Sequence, residues 1–84
     1  MAASYPIVEI EWLDAASYFR WQDPATDFQL VECMTAGYLL AEHKDRYVVT
    51  IGVNAANGDV ANVLVIPKRL VQNFTTIRQA ATPR

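Results

Sequence analysis

Glu9 and Glu11 place two carboxylates two residues apart in the alternating run Ile7-Val8-Glu9-Ile10-Glu11-Trp12-Leu13. In an extended chain such residues share a face, about 6.5–7 Å apart. Two carboxyl groups at that spacing can serve glycoside hydrolysis. The reaction needs a deep cleft, and 84 residues leave little material to build one, so the pair reads as a solvated strand face. Ser17, His43 and either Asp14 or Asp45 supply the residue types of a nucleophilic triad, but no nucleophile-elbow pattern surrounds the serine. His43, set in Glu42-His43-Lys44-Asp45, reads as a solvated side chain on a polar tip. Cys33 lies within an apolar run and reads as a buried, inert thiol. One Cys and one His allow neither an internal disulfide nor a zinc set. The glycines stand isolated at 37, 52 and 58, without the clustering of a phosphate cradle. The residues therefore predict no catalytic group, no metal site and no cofactor: a non-enzymatic protein.

Binding chemistry is better represented. Tyr18, Phe19, Arg20 and Trp21 interleave aromatics with a guanidinium, which can stack on bases or anchor a protein interface. The same side chains can cap the open end of a small barrel, and a cap in one subunit can contact the next. Lys68 and Arg69 follow Pro67, and Arg78 is expected nearby across the last strand; together they can take an anion. Snorkelled surface charge is the plainer reading of that cluster. Tyr18, Arg20, Trp21, Lys68, Arg69 and Arg78 are thus the candidate ligand or partner contacts.

Charge divides along the chain. Residues 1–42 carry Glu9, Glu11, Asp14, Asp23, Asp27, Glu32 and Glu42 against Arg20 alone. Residues 43–84 carry Lys44, Arg46, Lys68, Arg69, Arg78 and Arg84 against Asp45 and Asp59. The halves can pair within one barrel, meet across subunits, or present a local basic rim. A net charge of -2 lacks the concentrated positive field of a duplex binder, while a small nucleotide or single-strand site stays open. No apolar run approaches the roughly 18–20 residues of a membrane span, and no basic-then-apolar leader opens the chain. We expect a cytoplasmic protein with no membrane partner.

Positioning these groups falls to strands. The alternating run at 7–13 predicts a first strand with Val8, Ile10 and Trp12 on the buried face. Asp14 to Asp27 breaks the alternation, with Asp23-Pro24 marking a turn, and is long for a connection in so small a domain. Phe28 to Glu42 reads as one long strand, kinked at Gly37 where a missing Cβ permits a sharp bend. Arg46–Val53 is rich in β-branched residues and forms a hairpin with it. Asn57-Gly58 signals the next hairpin turn, followed by a strand over Val60–Ile66. Pro67 ends that strand, Lys68 to Val71 fits one 3₁₀ turn, and Asn73–Ile77 makes a short last strand with Phe74 and Ile77 buried around Val71. Residues 1–5 and 79–84 are expected to be flexible ends of a single domain over 6–78.

Five short bent strands with a 3₁₀ turn before the last resemble SH3-like and Sm-like small barrels. Val8-Glu9-Ile10-Glu11-Trp12-Leu13-Asp14 with Trp21 beyond it, Thr35-Ala36-Gly37-Tyr38-Leu39-Leu40, and Val65-Ile66-Pro67-Lys68 resemble a family of small uncharacterised tailed-bacteriophage proteins. These stretches cover about half the chain. The Sm-like comparison, including the Hfq type, rests on topology; it implies rings joined strand four to strand five, with single-stranded RNA around the pore. The Asp-x-aromatic-x-Asn and Arg-Gly motifs of that RNA site are missing from Glu42-His43-Lys44-Asp45-Arg46-Tyr47 and from the C-terminal region. With 52% hydrophobic residues in so small a chain, self-association is the expected staple. The reading is a phage accessory module that forms a homo-oligomer through strand edges and binds a host protein or nucleotide-like ligand through loops. The alternative is an Hfq-like RNA-binding ring.

Overall fold

The computed structural model describes residues 4–80. Five antiparallel strands form one sheet: β1 (Ile7–Asp14), β2 (Val31–Glu42), β3 (Arg46–Val53), β4 (Val60–Pro67) and β5 (Val71–Arg78). A 3₁₀ turn, Lys68–Leu70, precedes β5. The spatial order is β4-β3-β2-β1-β5, so β4 and β5 are the outer strands of the ladder. The all-β expectation, the strand count and the 3₁₀ turn hold.

Alternation along β1 sends Val8, Ile10 and Trp12 inward, where they meet Val49 and Ile66. Cys33, Leu39, Tyr47, Val71 and Phe74 pack around these five. The Trp12 indole keeps its polar edge satisfied: Nε1 donates to Thr35 Oγ1 at 3.0 Å. Thr50, a buried hydroxyl, donates to Ala61 O.

β2 is shared between two ladders. Its first part, Val31 to Tyr38, pairs with β1, and its last part, Tyr38 to Glu42, pairs with β3. The handover falls beside Gly37, where a Cβ would stand 2.5 Å from the Thr50 carbonyl oxygen. Only a residue without a side chain lets β3 come so close. Gly58, with φ of 81°, takes the left-handed position in the β3–β4 turn, while Gly58 N donates to Asn54 O at 2.7 Å.

Two strand limits differ from the sequence reading. β2 begins at Val31, opposite Asp14, and not at Phe28, because β1 offers no partner beyond Asp14. β5 begins at Val71, opposite Trp12, because the 3₁₀ turn takes only three residues. Ile77 is 57% exposed and not buried as expected, because it falls in a register shift: Arg78 stands opposite Ile7 and Thr76 opposite Val8, leaving Ile77 without a partner on β1. The flexible ends expected at 1–3 and 81–84 lie outside the described residues. No helix among the described residues is long and apolar enough to cross a membrane.

Candidate binding surfaces

Three surfaces carry the candidate contacts, each at a different place on the sheet. The first is the basic corner. His43 N donates to Arg46 O at 2.8 Å and closes a tight tip on the β2–β3 hairpin. Lys68 N donates to Asp45 O at 2.8 Å, so the 3₁₀ turn is fastened to that tip. Lys44, Arg46, Lys68 and Arg69 thereby gather around an open hollow of about 420 Å³, with Asp45 as its carboxylate. Lys68 Nζ lies 2.6 Å from Glu42 Oε2 and 5.0 Å above the Tyr47 ring, which in turn stacks on Phe74 at 4.6 Å. Arg46 Nη1 donates to Asp45 Oδ1 at 2.7 Å, and this bond holds the Asp45 carboxyl below its usual value of 3.8. Arg69 and Lys44 join neither of these ion pairs and are exposed, open to an incoming anion.

Arg78 does not belong to this cluster. It stands opposite Ile7 at the far end of β5, roughly 20 Å along the strand from Val71. The expectation of a three-cation group with Lys68 and Arg69 fails because β5 runs away from the 3₁₀ turn in extended form. The neighbours that do gather there, Lys44 and Arg46, come from the hairpin tip. Their signal was the charge-rich tip Glu42 to Arg46, which the sequence reading treated as a solvated turn.

The second surface is the β1–β2 connection, residues 15–30. Its two limbs touch where the Tyr18 and Phe28 rings meet edge to face at 5.0 Å, and where Tyr18 Oη donates to Gln29 O at 3.2 Å. Asp23 builds the turn between them: its carbonyl accepts from Thr26 N and its carboxylate from Ala25 N, both at 2.9 Å. This is a standing arm, not a cap. Phe19 and Trp21 are 95% and 103% exposed, and Arg20 between them is exposed as well. Tyr18 turns to the returning limb, so the four residues read together in the sequence divide into one brace and three outward groups.

The third surface is the pair of sheet edges. Neither Val60–Pro67 nor Val71–Ile77 contains a charged residue. Val63, Leu64 and Val65 on β4 and Ile77 on β5 are all more than a third exposed. Edge strands of monomeric proteins are usually blunted by charge, proline or bulges. Here Asn62, with φ of 57°, interrupts only the start of β4 and Pro67 only its end, whereas β5 shifts register twice against β1 and ends in Arg78.

The residues weighed for catalysis are not assembled. Ser17 lies on the arm beyond Asp14, and His43 lies past the opposite end of β2. Glu9 and Glu11 share the face of β1 turned away from Val8, Ile10 and Trp12. Among the described residues, no three His, Cys, Asp or Glu side chains are grouped to hold a metal ion. Cys33 is half-buried rather than enclosed, its Sγ 3.7 Å from Val31 O. Comparison with known protein families, curated proteins and solved structures returned no match.

Proposed function

We propose that this chain is a non-enzymatic, self-assembling binding module, of the bacteriophage accessory type suggested by its sequence and acting in the host cytoplasm. Copies join through their outer strands, the β4 edge of one against the β5 edge of the next, and the loops carry the ligand contacts. One observation carries the reading: β4 and β5 are the outer strands of the single sheet, and β4 carries no charge while exposing Val63, Leu64 and Val65. Unpaired N–H and C=O groups on such edges are satisfied by a neighbouring strand, and repeated head-to-tail pairing closes into a ring. The exposed area adds support: the chain exposes 6585 Å², well above the roughly 5,000 Å² of an ordinary folded monomer of 9.4 kDa.

The basic corner suits a nucleotide-like ligand. Arg69 and Lys44 would meet its phosphate, with the Tyr47 ring already engaged beneath Lys68. A second reading, a ring that binds single-stranded RNA, is favoured by the same corner, because assembly would repeat these cations once per subunit. Tyr18, Arg20 and Trp21 belong to the protein-contacting arm in either case.

Size-exclusion chromatography with light scattering tests the assembly. The expected result is a discrete multiple of 9.4 kDa; a monomer at high concentration overturns it. Titration with a nucleoside phosphate and with a short single-stranded RNA at low salt separates the two ligand readings, and no response to either ends both.

A further inference from the structure

An open hollow of about 440 Å³ lies across β1 and β2 at the foot of the arm, and the core residues Trp12 and Cys33 also reach its lining. Cross-strand pairs build it: Glu11 stands opposite Met34 and Leu13 opposite Glu32, while Gln72 closes it from β5. It therefore offers an apolar floor of Leu13 and Met34 between two carboxylates. Among the described residues, neither Glu11 nor Glu32 takes part in an ion pair, and neither does Arg20. Met34 is 69% exposed.

The arm carries the complement. Phe19 and Trp21 provide apolar area, and Arg20 sits between them as the lone cation of the first 42 residues. Among the described residues nothing covers the arm's outward side chains: Phe19 and Trp21 are almost fully exposed. The Tyr18–Phe28 contact and the Asp23 turn brace the limbs against each other, which keeps Phe19 and Trp21 standing off their own sheet. Aromatic and Arg side chains of this kind are the usual anchors of protein interfaces.

We propose that Phe19, Arg20 and Trp21 of one copy dock into the hollow of Glu11, Leu13, Glu32, Met34 and Gln72 on a second copy. The two rings cover Leu13 and Met34, and the guanidinium lies against Glu11 and Glu32. This names the arm's partner and rests on the reading of the chain as a self-assembling module. The two contacts share only Gln72 of β5, so substitutions at Arg20 and Glu32 separate arm docking from strand-edge pairing.

The test uses the full chain with Cys33→Ser, which removes its single thiol. One preparation carries Gln22→Cys, next to the docking triplet, and a second, tagged to differ in mass, carries Gln72→Cys in the hollow. After mixing and mild oxidation, the expected product is a mixed disulfide between the two. Its yield should exceed by several-fold that of a control pairing Gln22→Cys with Asn57→Cys in the exposed β3–β4 turn. Arg20→Glu in the first partner should abolish the excess, and Glu32→Arg in the second should restore part of it. An excess indifferent to Arg20→Glu overturns the proposal. So does a Gln22→Cys/Gln72→Cys double variant that closes only within one chain. Light scattering on the same samples keeps the failures apart: assembled protein without the mixed disulfide sinks arm docking alone, whereas a monomer sinks self-assembly with it.

Discussion

Lys68 and Glu42 meet at 2.6 Å between the 3₁₀ turn and the end of β2, one from the basic half of the chain and one from the acidic half. The pair is exposed, so its contribution to stability is small. Its consequence is positional, because it steers the Lys68 stem over the Tyr47 ring and leaves Arg69 to face solvent at the corner. The opposed charges of the two halves thus meet inside the subunit at this place, which was one of the arrangements open from sequence.

Val65→Lys should convert assembled protein to monomer, because it puts an ammonium on the uncharged β4 edge. Val65 is 51% exposed, so the folded subunit should lose no more than about 0.5 kcal/mol. Light scattering together with chemical denaturation checks both halves of this statement.

Gly37 should be far more sensitive to alanine than Gly52. At Gly37 the new Cβ would overlap the Thr50 carbonyl, and overpacking against backbone costs about 1–3 kcal/mol. At Gly52 nothing lies within 4 Å, and the change should be within about 0.5 kcal/mol of neutral. Urea midpoints of the two variants provide the comparison.

Thr50→Val keeps the side-chain volume and adds apolar character, yet it should destabilise the fold by about 0.5–1.5 kcal/mol. The change removes the bond from the buried hydroxyl to the carbonyl of exposed Ala61. An unchanged denaturation midpoint would show that this hydrogen bond holds nothing together.

Asp45→Asn should tighten anion binding at the basic corner roughly threefold at low salt, since it frees Arg46 and removes a competing carboxylate. The Arg46 bond keeps the Asp45 carboxyl below its ordinary value, so the ion pair is complete above that value and dissolves as pH falls through the lowered one. At neutral and mildly acidic pH, Asp45 therefore contributes no titration to anion affinity. Calorimetric titration with a nucleoside phosphate across that range, at two ionic strengths, measures both effects.

The strands were legible in sequence because alternation is a local property: Val8, Ile10 and Trp12 announce their common face without help from the rest of the chain. Strand limits were not legible, since they depend on where a partner stops. Phe28, Gln29 and Leu30 continue the apolar run of β2 but have no β1 residue beside them. Partner geometry likewise explains Ile77, left out of register between Val8 and Ile7, while Arg78 is carried away from Lys68 by an extended backbone. Of the candidate contacts, Arg20 and Trp21 were legible as unusual residue types in an unusually long connection. The hollow of Glu11, Leu13, Glu32, Met34 and Gln72 was not, because it exists only once the β1–β2 register is set.

That β2 divides its length between two ladders has a consequence for the order in which the chain folds. The β2–β3 and β3–β4 hairpins close over short turns, Lys44-Asp45 and 54–59, and ask little loop-closure entropy. β1 must wait for a sixteen-residue span to come round, and β5 must then find Trp12 with Val71 from almost the whole chain away. The meander of β2, β3 and β4 is thus the early scaffold, while the carboxyl-terminal strand arrives last and is the first to leave. A ribosome-bound chain would expose its growing apolar margin until that final strand emerged.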